Sequence, residues 1–239
     1  MTEIVLVRHG QASFGKANYD KLSDLGAKQA VWLGEFLAHN NIEFDALWRG
    51  DMFRHEETAN GILDGLNKHL TEDVEKQSLH ARLTEQIAIH KGLNEFDFQA
   101  VADAYIKIDP ASQPAKGAPP AEFYRLLRKS MLAWSAGKLD EFELPELWSE
   151  FQGRVMNVLD AAVDSGHKRV VLSTSGGAIA MMVSQVLGAD AATMVNLNLQ
   201  IRNTSITQIF ANKSGTHLHQ FNAIPHLEHP DRRTSISYS

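Results

Sequence analysis

Short apolar runs alternate with amphipathic stretches along most of this chain. Runs rich in apolar or β-branched residues predict buried strands at residues 4–7, 45–48, 75–79, 169–173, 206–210 and 218–221. Apolar side chains three or four residues apart predict helices at residues 25–37, 52–66, 98–106, 122–135, 147–163 and 178–187. Strands that alternate with helices favour an α/β fold, in which a mostly parallel central sheet carries helices on both faces.

The alternating pattern weakens between about residues 97 and 146, where residues 109–120 form a loop rich in proline. Predicted helices flank this loop on both sides. We therefore expect one domain over residues 1–239, with an inserted helical lid at residues 97–146. The polar ending from His229 onward is expected to be a tail or a late edge strand.

Composition narrows the classes of function. The chain has 239 residues, a formal net charge of −6 and no cysteine. A net negative charge argues against nucleic acid as the partner, and the lack of cysteine excludes disulfides and thiolate chemistry. The first residues do not have the layout of a signal peptide, and no apolar stretch is long enough to span a bilayer. We therefore expect a cytoplasmic protein without a membrane partner.

The sequence Arg8-His9-Gly10 directly follows the first predicted strand. An arginine offers a fork of donors suited to phosphate, and a glycine lets the backbone approach a ligand closely. A second loop, at residues 174–177, follows the strand at residues 169–173, and ligands of parallel sheets bind at such carboxyl ends. The two loops together predict a site for a small phosphorylated molecule, although the tripeptide alone fits an ordinary surface strand end equally well.

The residues around the first loop form a longer pattern. Residues 5–11 read Val-Leu-Val-Arg-His-Gly-Gln, residues 22–30 read Leu-Ser-Asp-Leu-Gly-Ala-Lys-Gln-Ala, and Arg54 precedes a Thr-Ala pair. This pattern closely resembles the signature of the histidine phosphatase (phosphoglycerate-mutase-like) superfamily, over roughly residues 3–66 and 147–227. The resemblance implies a phosphoglycerate-mutase-like fold and phosphoryl transfer without a metal or another cofactor.

The resemblance also implies roles for individual residues. His9 would attack phosphorus and form a phosphohistidine that water then hydrolyses. Arg8 and Arg54 would hold the phosphoryl oxygens and stabilise the charge of the transition state.

The family places a carboxylic acid over the leaving group, usually in a Leu-x-Glu context. Glu95, in Leu-Asn-Glu, fits this context and would protonate the departing alkoxide. Glu85 is a rival because Leu-Thr-Glu has the same local form, and Asp97 is a further rival because it lies close behind Glu95.

One departure from the family bears on activity. The family typically has Ser-His-Gly-Gly where this chain has Thr-Ser-Gly-Gly at residues 174–177, so Ser175 stands in place of the second histidine. A serine hydroxyl offers one hydrogen bond and no cation. Backbone amides at Gly176 and the next residue are one compensation for binding phosphate, and a histidine from elsewhere, His55 or His226, is another.

Three functions follow from these residues. The first is hydrolysis of a small phosphomonoester through phosphorylated His9. The second is a catalytically weak or inactive phosphate-binding protein, a regulatory pseudophosphatase, because Ser175 replaces the second histidine. The third is a phosphoglycerate mutase, which we rank lower because residues 97–146 do not resemble the mutase pattern.

Overall fold

Strands and helices alternate along the chain largely as the apolar pattern predicts. The computed structural model describes residues 1–13, 20–69 and 74–238. The strands of this part are β1 (Thr2–Arg8), β2 (Ala46–Arg49), β3 (Ala88–Ile89), β4 (Arg169–Thr174), β5 (Ile206–Asn212) and β6 (Gly215–Ala223). The α-helices are α1 (Asp24–His39), α2 (Phe53–Asn67), α3 (Val74–Glu85), α4 (Phe98–Ile108), α5 (Pro120–Ser135), α6 (Trp148–Asp164), α7 (Gly176–Val186) and α8 (Ala191–Asn198).

The strands form one mixed sheet in the order β3-β2-β4-β1-β5-β6. The first four strands of this order are parallel, and β5 and β6 add an antiparallel hairpin at one edge. The prediction of a mostly parallel sheet is therefore confirmed. Because Arg8 at the end of β1 pairs with Thr174 at the end of β4, the loops that follow these two strands lie side by side.

Helices cover both faces of the sheet, as predicted. Side chains alternate across a strand, so in β1 Ile4 and Leu6 join one buried cluster with helices α4 to α8, while Val5 and Val7 join another with α1, α2 and α3. Within the described part of the chain, no helix combines the length and the apolar character that crossing a bilayer requires.

The segment at residues 97–146 contributes to the main core. Val101 and Met131 of its two helices belong to the same buried cluster as the strands. Trp134 is fully buried and packs its ring against Phe96 and Phe151. The role of this segment as a lid, and the single-domain boundaries, stay predictions from the sequence.

Two predicted elements are wrong. Residues 75–79 lie within α3 rather than in a strand, because Leu79 and Leu83, four residues apart, both pack against the cluster beneath α1 and α2. The parallel strand in that region is Ala88–Ile89, whose two residues are too few to give an apolar pattern. Of the two alternatives for the ending, the edge strand is wrong, because Pro230–Ser235 forms a 3₁₀ turn and β6 is the outermost strand on that side of the sheet.

Candidate active site

His9 lies immediately beyond the end of β1, and its backbone is held from both sides. Its amide donates to the Thr174 carbonyl at 2.8 Å, and its carbonyl accepts from Nδ2 of Asn203 at 3.0 Å. The side chain is 5% exposed, and Nδ1 lies 2.7 Å from the Gly10 carbonyl oxygen. A carbonyl oxygen can only accept, so Nδ1 carries the proton and Nε2 keeps its lone pair.

Burial lowers the pKa of His9 well below the usual range of histidine, and the positive charges of Arg54 and Arg8 and the neighbouring His55 lower it further. Both effects disfavour the imidazolium. The ring is therefore neutral at neutral pH, which is the state in which Nε2 can act as a nucleophile.

Gly10 joins the loop after β1 to helices α1 and α2. Its amide donates to Oγ1 of Thr58 at 3.0 Å, and that hydroxyl donates to the Arg54 carbonyl at 2.6 Å. A Cβ atom on Gly10 would lie 2.4 Å from the Gly26 carbonyl oxygen, so no side chain fits here. The close packing of the backbone explains why the sequence pattern has glycine at residues 10 and 26, and the two hydrogen bonds explain why it has threonine at residue 58.

Arg8 is held by backbone from distant parts of the chain. Its Nη1 donates to the carbonyl oxygens of Ile201 and of Tyr238, the latter at 2.7 Å. The guanidinium packs against the start of α7, since a Cβ atom on Gly176 would lie 3.5 Å from Nε of Arg8. Arg8 and Gly176, two predicted phosphate-binding residues, therefore lie together. The contact with Tyr238 was not predicted.

Arg54 lies in the first turn of α2, with its side chain 7% exposed. Asp20, which the sequence analysis did not single out, binds it: Oδ1 of Asp20 accepts from Nη1 of Arg54 at 2.7 Å. The other oxygen of Asp20 accepts from the Phe53 amide at 2.9 Å, at the start of the same helix. One carboxylate thus orients Arg54 and satisfies an amide of the first helical turn.

Glu95 lies at the amino end of α7, where the loop after β4 begins the helix. Its Oε2 accepts from the Gly177 amide at 3.0 Å, and its Oε1 accepts from the Phe96 amide at 3.2 Å. A Cβ atom on Gly177 would lie only 2.1 Å from Oε1 of Glu95. Glu95 therefore occupies one of the amides that the sequence analysis offered to phosphate, and this amide belongs to Gly177, two residues after Ser175.

Of the two rival carboxylates, Glu85 lies far from His9 and Asp97 caps a helix. Glu85 is exposed at the end of α3, and the adjacent Gln86 lines a surface cavity with Asp45 and Lys168, which precede β2 and β4. Glu85 is thus near the amino ends of the strands, opposite to His9. Asp97 is exposed and caps α4, since its Oδ1 accepts from the Ala100 amide at 2.9 Å.

Ser175 turns its hydroxyl toward a histidine from α2. Nε2 of His55 lies 2.7 Å from Oγ of Ser175, and both residues are fully buried. The His55 and His9 ring centroids are 5.8 Å apart. Burial, followed by the charges of Arg54 and Arg49, lowers the pKa of His55 well below the usual range, so that this ring is also neutral.

His226, the other histidine considered for the space beside Ser175, contacts Thr204 instead. Its Nε2 lies 2.8 Å from Oγ1 of Thr204, whose amide donates to the Arg8 carbonyl at 3.0 Å. Burial, with a smaller effect of Arg232, lowers the pKa of His226 to about 3. Of the two histidines, His55 is therefore the one in contact with Ser175.

Comparison with known proteins now decides the family. Residues 4–224 match the sequence profile of the histidine phosphatase superfamily (branch 1). The chain belongs to the histidine phosphatase superfamily. The fold of the chain is similar to those of solved structures. Its superposition on YhfR of Bacillus stearothermophilus has a TM-score of 0.64 at 17% identity and covers 95% of this chain and 100% of YhfR. A phosphoserine phosphatase from Entamoeba histolytica has a TM-score of 0.60 at 20% identity, with the same coverage.

Curated relatives match this chain only in part. A 2,3-bisphosphoglycerate-dependent phosphoglycerate mutase from Allorhizobium ampelinum is 33% identical over 103 residues, which are 41% of this chain and 47% of the relative. The mitochondrial serine/threonine-protein phosphatase Pgam5 of Caenorhabditis briggsae is 41% identical over 75 residues, 31% of this chain and 25% of the relative. The matches thus cover less than half of each relative, and they include both mutases and phosphatases.

Proposed function

We propose that this protein hydrolyses a small phosphomonoester through a phosphohistidine formed on Nε2 of His9. The observation that carries the proposal is the hydrogen bond between Nδ1 of His9 and the Gly10 carbonyl, which leaves Nε2 as the free nitrogen of a neutral, buried ring. Membership of the superfamily supports phosphoryl transfer as the chemistry. A cytoplasmic location stays a prediction from the sequence.

In the first step, Nε2 of His9 attacks phosphorus, and the bond between phosphorus and the ester oxygen breaks. Arg8 directly precedes His9 in the chain, and the positive charges of Arg54 and Arg8 both lower the pKa of its ring. The same charge stabilises the phosphoryl oxygens in the transition state. Glu95 supplies a proton to the departing oxygen, so that the first product leaves as an alcohol.

In the second step, water attacks the phosphorus of phosphohistidine. Glu95, now a carboxylate, takes a proton from this water, and the nitrogen–phosphorus bond breaks. Inorganic phosphate leaves, Nε2 regains its lone pair and Glu95 regains its proton. The hydrogen bond that Glu95 accepts from the Gly177 amide keeps its carboxyl group at the same end of α7 in both steps.

A phosphate-binding pseudophosphatase is the second candidate, and Ser175 is the observation that favours it. Neither Ser175 nor the neutral His55 supplies a positive charge, and removing a donor that serves the transition state costs on the order of 10²–10³ in rate. A phosphoglycerate mutase is the third candidate, supported by the partial match to a relative of that name.

Phosphatase activity on an aryl phosphate, measured without added metal between about pH 4.5 and 8, separates these candidates. The wild type is compared with His9→Ala and with a matched control, His217→Ala, which removes an exposed histidine of β6. Turnover that is lost only in His9→Ala supports the proposal, and turnover that survives in His9→Ala contradicts it. Phosphate binding without turnover favours the second candidate, and interconversion of phosphoglycerates faster than their hydrolysis favours the third.

A further inference from the structure

The proposed phosphatase lacks the second histidine of its superfamily, and a buried pair, His55 and Ser175, lies in that place. We propose that the Ser175 hydroxyl is a hydrogen-bond donor to the bound phosphoryl group, and that His55 positions it by donating Nε2–H to Oγ of Ser175. This inference rests on the proposed function for its catalytic meaning. Its first basis is the 2.7 Å contact between two fully buried side chains.

The surroundings of His55 decide which of its nitrogens carries the proton. Nδ1 of His55 is buried and has no hydrogen-bond partner among the described residues. A Cβ atom on Gly50 would lie 2.2 Å from Nδ1, so a Cα hydrogen of Gly50 points at this nitrogen. A proton on Nδ1 would be a buried donor facing a C–H group, whereas a lone pair on Nδ1 accepts a weak C–H contact. The neutral ring therefore carries its proton on Nε2.

The proton on Nε2 determines what the Ser175 hydroxyl can do. A hydroxyl has one hydrogen and two acceptor sites. Once Oγ accepts from His55, its own hydrogen is available to another acceptor, and Oγ has no other hydrogen bond within the described part of the chain.

The acceptor that suits this hydrogen is an anion held beside His9. Ser175 follows Thr174, whose carbonyl holds the His9 amide, and the His55 ring centroid is 5.8 Å from that of His9. Arg54 directly precedes His55 in α2, and its positive charge lowers the pKa of both rings. A phosphoryl oxygen in this space completes the chain from His55 through Ser175 to the ligand.

Where the family has a histidine, which can carry a positive charge, this site thus has a neutral serine hydroxyl whose direction is fixed by His55. Hydrogen bonds of buried hydroxyl groups depend on the network that orients them. We expect Ser175→Ala to lower kcat on an aryl phosphate on the order of 10- to 100-fold, with a smaller effect on KM, because the donor is needed most in the transition state.

Two substitutions of His55 separate positioning from packing. A glutamine amide nitrogen reaches the place of Nε2, whereas an asparagine amide nitrogen reaches only the place of Nδ1. We expect His55→Gln to keep kcat within about 3-fold of the wild type and His55→Asn to lose as much as Ser175→Ala. Adding Ser175→Ala should cost nothing further in His55→Asn but the full factor in His55→Gln. Equal losses in the two His55 variants, or full additivity in both backgrounds, would overturn the positioning role.

Two measurements test the pair without turnover. In ¹⁵N-histidine spectra of the full protein, His55 should show a protonated Nε2 and a bare Nδ1, and Ser175→Ala should shift mainly Nε2; a proton on Nδ1 overturns the proposal. Inorganic phosphate should bind more weakly in Ser175→Ala and His55→Asn, but not in His55→Gln, and equal binding in all variants also overturns it. Absence of His9-dependent turnover would instead refute the proposed function, while these measurements still decide on the pair.

Discussion

Replacing Gly177 with alanine should displace Glu95, the proposed acid, while leaving every charged residue of the sequence in place. The added Cβ would lie 2.1 Å from Oε1 of Glu95 and 2.9 Å from Cε1 of Phe96. Ordinary contact distances are above 3 Å, so the carboxyl group must retreat by about 1 Å or more. Since its atoms are the far end of a flexible side chain, we expect Glu95 to swing away and lose its hydrogen bond to the Gly177 amide.

The size of the effect follows from what a positioned acid contributes. General acid catalysis accounts for about 10²–10⁴ in rate, and a displacement of 1 Å is enough to lose about 10². An alkyl leaving group needs this proton, whereas an aryl leaving group of low pKa departs without it. We therefore expect Gly177→Ala to lower kcat/KM, which reports the first step, at least about 100-fold on an alkyl phosphate and less than about 10-fold on an aryl phosphate.

The assay compares both substrates in Gly177→Ala, Glu95→Gln and Gly153→Ala. Gly153 is the matched control, because it also lies in a helix and a Cβ atom there meets nothing within 4 Å. Alanine favours helices by about 0.8–1.0 kcal/mol over glycine, so the control should be slightly more stable and equally active. An equal loss of kcat/KM on both substrates in Gly177→Ala, or no loss of kcat/KM on the alkyl phosphate, would refute Glu95 as the acid.

Three further predictions concern Asp20, His9 and His226. Asp20→Asn keeps an acceptor for the Phe53 amide but removes the ion pair with Arg54, so kcat/KM on an aryl phosphate should fall on the order of 10-fold. Because burial and Arg54 lower the pKa of His9, its ring should titrate below pH 6.5, the usual value of histidine, in an NMR titration, and Arg54→Gln should move its titration upward. His226, with its pKa lowered to about 3, takes up a proton in the unfolded chain near pH 6.5, so the free energy of unfolding should fall as pH drops below 6.5. At pH 5 the expected loss is about 2 kcal/mol of the free energy of unfolding. Urea unfolding at pH 7 and at pH 5 measures this loss, and it should be smaller by that amount in His226→Gln.

Each of these three has a contradicting result. Unchanged kcat/KM in Asp20→Asn would mean that Arg54 is positioned without this carboxylate. A His9 ring that titrates near pH 6.5 would mean that it is neither buried nor close to the arginines. An equal loss of stability between pH 7 and pH 5 in the wild type and in His226→Gln would exclude His226 as the source of that loss.

Much of the site could be predicted because local pattern and strand position agree. The apolar run of β1 ends at Arg8, and Gly10 follows where backbone elements pack too closely for a side chain. Parallel strands bring the loops after β1 and β4 to the same end of the sheet, as the fold class predicts, and the pairing of β1 with β4 makes these loops neighbours.

Contacts between residues far apart in the chain could not be predicted in this way. The apolar period says which face of an element is buried, but not which loop covers its end. The tie between Arg8 and Tyr238 spans 230 residues, and the contact between His55 and Ser175 spans 120. The choice between His55 and His226 for the space beside Ser175 therefore needed the three-dimensional arrangement.

The wrong strand at residues 75–79 has a similar cause. Five residues are too few to show whether apolar side chains are spaced two residues apart, as in a strand, or four apart, as in a helix. The helical spacing of α3 is visible in the pair Leu79 and Leu83, which extends beyond that window.

The most direct test of phosphohistidine chemistry is to trap the intermediate. The wild-type protein is mixed with an excess of aryl phosphate, quenched in alkali within the first turnovers, and mapped by mass spectrometry and ³¹P NMR. We expect one acid-labile phosphoryl group on Nε2 of His9, absent from His9→Ala, because Nδ1 is engaged by the Gly10 carbonyl. A phosphoryl group on Ser175 or on Nδ1 of His9, or turnover that continues in His9→Ala, would contradict the mechanism.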